Sequence, residues 1–213
     1  MKRKICYVVG AGENYGLDFT ACPADMIIAV DAGLRYIEQS GMTADLVIGD
    51  FDTLHFKPEH PNVIELNAEK DDTDMLAAVR EGIKAGYEVF HIYCGMGGRV
   101  EHTIANIQIL AKLSQNGKQG FLFGRDCIIS AITNKTLFFN PQASGFVSVF
   151  SYSEKSEGVY IKGLKYELHN ATLTNSFPIG VSNEFIGRES SVVVTNGTLL
   201  VVYPKIITEV FIL

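Results

Sequence analysis

"VFHIYCGMGGRVEHTIANIQILAKLSQNG", Val89 to Gly117, holds three kinds of local pattern in succession. Val89–Tyr93 is a short apolar run of the sort found in strands buried on both faces. Gly95, Gly97 and Gly98 then interrupt it. From Glu101 to Gln115, Ile104, Ile107, Leu110 and Ala111 recur at helical spacing, and Gly117 stops the pattern. Strand, turn and helix make one βα unit, and the same succession occurs upstream. Apolar runs at Ile5–Val9, Met26–Val30 and Leu46–Ile48 read as buried strands. Leu34–Glu38 and Thr73–Lys84 read as helices, the second with Met75, Leu76, Val79 and Ile83 on one face. Phe121–Phe123 and Ile128–Ile132 add strands. This alternation predicts an α/β domain with a mainly parallel, Rossmann-like sheet over residues 1–133.

From residue 134 the texture changes. Phe146–Phe150, Gly158–Ile161, Ala171–Thr174 and Val192–Val194 are apolar or alternating, with Gly, Asn and Ser between them. Asn196-Gly197, between the apolar ends of "SSVVVTNGTLLVVYP", predicts a two-residue hairpin turn. Residues 134–213 are therefore expected to form an all-β domain, a small sandwich.

Composition narrows the function classes. With 47% hydrophobic and 20% charged residues, the chain can bury an ordinary globular core. No apolar run reaches the ~18 residues of a membrane span. The opening "MKRKICYVVGAGE" reads as strand into loop rather than as a secretion signal, so the protein is expected in the cytoplasm. The net charge of −6 falls on residues 1–133, and basic runs are missing, which argues against nucleic-acid binding. The cysteines form no CxxC pair and read as core thiols.

Chemistry-bearing residues sit where strands end. In "DLVIGDFDT" (Asp45–Thr53), Asp50 and Asp52 flank Phe51. They suit either an Asx turn or a Mg²⁺ site facing the crevice at the carboxyl ends of the strands. In "EKDDTDMLAAV", Asp71 and Asp74 lie on one helix face beside Lys70. Thr73 or Asp72 can cap that helix, but a cap does not account for the lysine. In "YCGMGGRVEH", glycines and Arg99 precede a helix, as a plain turn or as a cradle for phosphate oxygens. His102 is a weaker candidate. "GAGENYG" (Gly10–Gly16) and "VDAG" (Val30–Gly33) end strands at the same edge and are βα loops or nucleotide contacts. "GVSNEF" (Gly180–Phe185) brings Ser182 and Asn183, turn residues by default. Acids concentrated with an Arg/Lys pair at strand ends suit metal-assisted phosphoryl or pyrophosphoryl transfer.

The order "GDFDT", "KDDTD", "GGRVEH" running into "IANIQIL", then "GVSNEF" in a β-rich tail, resembles the thiamine pyrophosphokinase (thiamine diphosphokinase) family over essentially the whole chain. The resemblance implies an N-terminal α/β domain and a C-terminal β-sandwich in a homodimer. It also implies transfer of pyrophosphate from ATP to thiamine, giving thiamine diphosphate and AMP. On that basis Asp50, Asp52 and Asp74 bind Mg²⁺, and Lys70, Asp71 and Arg99 form the catalytic set. Asp31, Gly33, Lys70, Gly97, Gly98 and Arg99 meet ATP. Glu101, His102, Ser182 and Asn183 meet thiamine. Three positions depart from the family pattern: Glu101 stands for Asp, Thr53 for Ser, and Ala32 for Gly. The competing expectations are a pyrophosphokinase for a pterin or another heterocyclic alcohol, and a non-catalytic nucleotide or thiamine sensor.

Overall fold

The computed structural model describes residues 3–52, 57–67, 72–205 and 210–213. They fall into two compact units, one of Met1–Ile109 and Leu122–Gly124, the other of Leu110–Phe121 and Arg125–Leu213. No helix among the described residues is long and apolar enough to cross a membrane.

The first unit is α/β, as the alternation predicts. Its strands are β1 (Ile5–Val9), β2 (Met26–Val30), β3 (Leu46–Gly49), β4 (Val63–Glu65) and β5 (Val89–Tyr93). They pair in the order β4-β3-β2-β1-β5, every pair parallel. The chain starts in the middle, steps outward to β4, and returns on the other side of β1. The order thus reverses between β1 and β5, the kind of place where open α/β sheets bind ligands. The register pairs Val9 with Ala29 and Tyr93, and Val30 with Ile48. Gly10, Asp31, Gly49 and Cys94 therefore emerge along one edge.

Helices α1 (Gly33–Gln39) and α2 (Asp74–Lys84) follow β2 and β4, and α3 (Val100–Gln115) follows β5. Thr73 caps α2, its hydroxyl accepting the Leu76 N–H at 3.2 Å, while Asp72 pairs with Arg80. The buried face of α2 is Met75, Ala78, Val79 and Gly82, so Met75 and Val79 are as expected while Leu76 is half-buried and Ile83 is 37% exposed. Small residues decide this seating. A Cβ at Gly82 would come within 2.7 Å of the Phe90 ring and 2.8 Å of Cys6 Sγ. In α3 likewise, Ile104 is 54% exposed while Asn106, Ile109, Leu110 and Leu113 are buried. The Asn106 amide donates to Gly95 O at 2.6 Å, so a polar residue takes the inward position.

Residues 10–25 connect β1 to β2 without helix or strand. Their Leu17, Phe19 and Ala21 lie on the cluster of Tyr7, Val9, Ala29, Ile37, Phe51 and Tyr93. Phe19 stacks on Tyr7, and His91 meets Tyr7 edge-on and packs against Phe123. Asp25 fixes the end of this loop, accepting from Ile5 N at 2.8 Å and Cys22 N at 2.7 Å. All four cysteines are free thiols, but only Cys6 and Cys94 are core thiols as expected; Cys127 is half-buried and Cys22, in the β1–β2 connection, is exposed. Burial, and secondarily Asp45, pushes the Cys6 thiol up to about 12, as suits an inert core thiol.

The second unit is antiparallel. One set of strands runs β7 (Cys127–Thr133), β14 (Thr198–Pro204), β9 (Phe146–Ser151), β12 (Gly180–Glu184). The other runs β11 (Leu168–Thr174), β10 (Lys155–Lys162), β13 (Ser190–Val193), β8 (Thr136–Phe139), β15 (Val210–Ile212). Phe139 joins the two, its ring 5.0 Å from Phe185 and 5.2 Å from Tyr203. The remaining strand, β6 (Gln119–Phe123), is divided between the units.

The expected Asn196-Gly197 hairpin does not form. β13 pairs with β10 and β8, whereas β14 pairs with β7 and β9. The two residues instead carry the chain from one sheet to the other. Asn196 O accepts from Glu157 N at 2.7 Å, and Gly197 N donates to Asn134 Oδ1 at 2.9 Å. Gly197 is still required, with φ +118° and Ser156 Cα 2.9 Å from where a Cβ would stand. Part of the apolar C-terminal run is internal, while Phe211 and Leu213 at its end are exposed. Leu199, Val201 and Tyr203 are buried in β14, between β7 and β9. Further exposed apolar side chains lie on or beside the edge strand β12, among them Phe177, Ile179, Val181 and Ile186.

Candidate active site

Among the described residues, four non-glycine residues other than asparagine have left-handed backbones: Asp31, Phe51, Cys94 and Ser182, with φ of 48°, 58°, 52° and 58°. Such conformations are costly and concentrate at functional sites. Asp31, Phe51 and Cys94 follow the carboxyl ends of β2, β3 and β5.

Asp31 and the Asp50/Asp52 pair meet at that edge. One carboxylate oxygen from each of Asp31, Asp50 and Asp52 lies within 4.8 Å of the others. The two readings of "GDFD" prove compatible. Asp50 Oδ1 accepts the Asp52 N–H at 3.2 Å, which is an Asx turn. The same turn buries Phe51, with 4% exposed, and leaves Asp50 half-buried and Asp52 exposed. Asp31 comes close because β2 and β3 are neighbours and Gly49 has no side chain. A Cβ at Gly49 would lie 3.2 Å from Asp31 Cα, and Asp31 N donates to Ile48 O at 2.9 Å. Three carboxylates so placed repel one another, and a hard divalent cation that prefers oxygen ligands offsets that repulsion. The donor set fits Mg²⁺.

Asp74, expected in the same set, opens α2 and is not a member of this group among the described residues. Lys70, Asp71 and Thr53 lie outside the described residues. Gly33 has a packing role of its own, since a Cβ there would come within 2.1 Å of Val9 O.

The loops after β1 and β5 are joined by backbone bonds at the point where strand order reverses. Gly10 N donates to Tyr93 O at 2.8 Å, Gly12 N to Cys94 O at 2.8 Å, and Glu13 N to Met96 O at 3.0 Å. Gly97 and Gly98 follow with φ of +82° and +62°. Arg99 is exposed, and its Nε donates to Glu101 Oε1 at 2.7 Å. That bond holds the Glu101 carboxyl below the usual carboxylate range. Glu101 thus orients the arginine, a role the residue types did not announce. His102 is exposed one residue on.

In the second unit, Ser182 and Asn183 lie on β12, not in a turn. Ser182 is exposed at a register shift, and its N–H donates to Ser148 Oγ at 3.0 Å. Asn183 is 5% exposed and its amide is committed to the backbone. Oδ1 accepts from Tyr166 N at 3.0 Å and Glu184 N at 2.9 Å, and Nδ2 donates to Tyr166 O at 2.6 Å.

Two residues have a place in the site that the sequence reading did not assign them. Glu13, in the Gly10–Gly16 loop, lies against the Gly97–Gly98 turn, and that loop alone did not single it out. Asp31 was read as a nucleotide contact, and its place beside Asp50 and Asp52 depends on β2 and β3 being adjacent.

Comparison with known proteins gives a consistent answer. The family model described as thiamin pyrophosphokinase, catalytic domain, matches residues 20–122. The model described as thiamin pyrophosphokinase, vitamin B1 binding domain, matches residues 136–200. A curated thiamine pyrophosphokinase from Bacillus subtilis is 24% identical over 209 residues, covering 94% of this chain and 98% of that one. The crystal structure of thiamine pyrophosphokinase from Bacillus subtilis superposes with a TM-score of 0.84 at 21% identity, covering 94% of this chain and 99% of that chain. That of a thiamin pyrophosphokinase family protein from Enterococcus faecalis gives 0.80 at 25% identity, covering 95% and 99%. Yeast thiamin pyrophosphokinase gives 0.69 at 14%, covering 96% and 87%.

Proposed function

The chain belongs to the thiamin pyrophosphokinase family and is an enzyme of that activity, and from that premise we propose how its residues carry the reaction. The pyrophosphoryl group moves from ATP to the hydroxyethyl oxygen of thiamine, leaving thiamine diphosphate and AMP. The carboxylates at the ends of β2 and β3 carry this reading, since Asp31, Asp50 and Asp52 bring three oxygens within 4.8 Å. They would hold Mg²⁺, with Asp74 supplied from the start of α2. When bound, the ion offsets phosphate charge and orients the phosphates for in-line attack.

The remaining work belongs to the chain's own groups. The Gly97–Gly98 turn presents backbone to the ATP phosphates beside Arg99, whose planar fork suits phosphate oxygens. Arg99 and Lys70 stabilise charge developing on the transferred group. Asp71 or one of the metal-site aspartates takes the proton from the thiamine hydroxyl. Gly33 packs the β1 end so that Asp31 can meet the nucleotide side of the site. Glu101, His102 and Ser182 are the thiamine-side candidates. Asn183, tied to Tyr166, acts by shaping the strand on which Ser182 sits.

In this reading residues 1–133 form a Rossmann-like domain for ATP and Mg²⁺. Residues 134–213 form a β-sandwich for the thiamine pocket and dimer contacts. The enzyme works in the cytoplasm as a homodimer, consistent with its free thiols and the apolar side chains beside β12. The test is mass spectrometry of AMP and thiamine diphosphate with ATP, Mg²⁺ and purified enzyme. AMP should appear only when thiamine is present. AMP formed with a pterin alcohol and not with thiamine would overturn the assignment, as would thiamine binding without turnover.

A further inference from the structure

We infer that Glu13 is a positioning residue for the ATP subsite, holding the Gly97–Gly98 turn in shape from behind. Two consecutive left-handed residues have no regular hydrogen-bond ladder to support them, so a neighbour must fix the turn. Glu13 does so with its backbone, its stem and its carboxylate. Its N–H donates to Met96 O at 3.0 Å. Its stem fills the space beside Gly97, where a Cβ would come within 2.6 Å of Glu13 Cγ and 2.7 Å of its Cδ. Its Oε1 accepts the Gly98 N–H at 3.4 Å, and Oε2 accepts the Tyr15 hydroxyl at 2.8 Å. Tyr15 therefore sets the angle at which the carboxylate meets the turn. Gly97 must be glycine for two reasons, its φ and the occupied space.

A carboxylate is a poor choice beside phosphates if charge were its purpose, since it would repel them. What the geometry uses is the acceptor oxygen and the methylenes. Glutamine supplies both at the same length and keeps a partner for Tyr15. The charge is therefore dispensable and the shape is not. The inference rests on the reading that this turn meets ATP.

The experiment measures the Kd of a non-hydrolysable ATP analogue by calorimetry, together with KM for ATP and thiamine and the thermal midpoint. Glu13→Ala should weaken analogue binding by about five- to tenfold, the worth of one lost hydrogen bond and its packing. KM for thiamine should stay unchanged. Glu13→Gln should restore binding close to the parent. Tyr15→Phe, which leaves Glu13 in place but unsteered, should weaken ATP in the same direction and by less. Unchanged analogue binding in Glu13→Ala and Tyr15→Phe overturns the inference, whatever happens to the thermal midpoint. Tighter binding in both Glu13 variants also overturns it, because charge would then be the operative property. Arg99→Ala separates the two levels. If it weakens ATP while Glu13→Ala does not, the positioning role fails and the ATP subsite stands. If Arg99→Ala also leaves ATP unaffected, the subsite itself is misassigned.

Discussion

Asn183→Ala asks whether this asparagine belongs to the substrate or to the fold. The side chain is 5% exposed. It satisfies Tyr166 N, Tyr166 O and Glu184 N at 3.0, 2.6 and 2.9 Å. Alanine removes all three bonds and returns no partner to the Tyr166 peptide groups. A buried backbone group left unsatisfied costs about 1–3 kcal/mol. The Tyr166 groups are only partly buried, so their combined loss is about 2–4 kcal/mol. For a chain of this size, 1 kcal/mol moves the midpoint by about 2–4 °C, which puts the expected drop at about 5–15 °C. The chain has no tryptophan, so unfolding is best followed by far-ultraviolet circular dichroism in urea. Asn183→Asp should be at least as damaging, because it sets a carboxylate oxygen against Tyr166 O at the former 2.6 Å contact. Below the melting range, KM for thiamine should stay near the parent value. A variant with an unchanged urea midpoint and a sharply raised KM for thiamine would refute the reasoning. The amide would then be free for the ligand.

Asp52→Asn should leave the fold intact and cut turnover at saturating Mg²⁺ by about 100-fold or more, the several kcal/mol expected of a metal-held transition state. Near-normal turnover there would sink the metal assignment. Gly97→Ala should cost about 1–2 kcal/mol for its left-handed φ alone, with the Glu13 stem clash added, and should raise KM for ATP. An unaltered KM with full stability would contradict the packing described. Burial lowers the His91 pKa to about 4, with Asp25 opposing the shift. The unfolded chain then binds the proton first, so stability falls as pH drops from about 6.5 towards about 4, and the loss ends there. His91→Phe keeps the ring against Tyr7 and Phe123 and should remove about 1–3 kcal/mol of that pH dependence. Identical slopes in parent and variant, measured by urea titration across that range, would count against the assignment.

The parallel strands were legible because burial on both faces makes them near-continuous apolar runs. Ile5–Val9, Met26–Val30 and Val89–Tyr93 have the same bounds in sequence and structure. What local pattern could not supply was partnership. Asn196-Gly197 has the chemistry of a tight turn, and it does turn, but only the pairing of β14 with β7 and β9 reveals that it changes sheets. Periodicity misjudged part of the buried faces of α2 and α3 for a related reason. It ranks side chains by hydrophobicity, whereas Gly82 and Asn106 face inward because of what lies opposite them. At the site, Asp50 and Asp52 announce themselves by proximity in sequence. Asp31 joins them through a strand neighbour 19 positions away, a relation that exists only once the sheet order is known. Glu13 lay inside the quoted Gly10–Gly16 loop, but nothing set it apart from its neighbours there, because its importance lies in filling the space a glycine leaves.

The left-handed backbones at Asp31, Phe51 and Cys94 have a practical meaning for anyone seeking a more heat-tolerant variant. Each stores about 1–3 kcal/mol, and a design method that scores backbone geometry will nominate these positions for glycine first. Two of the three set the placement of the carboxylates, directly at Asp31 and through the buried ring at Phe51. The substitutions that look most profitable for thermostability are therefore the ones to exclude from a library, and Cys94 is the one position of the three where the trade can be tried.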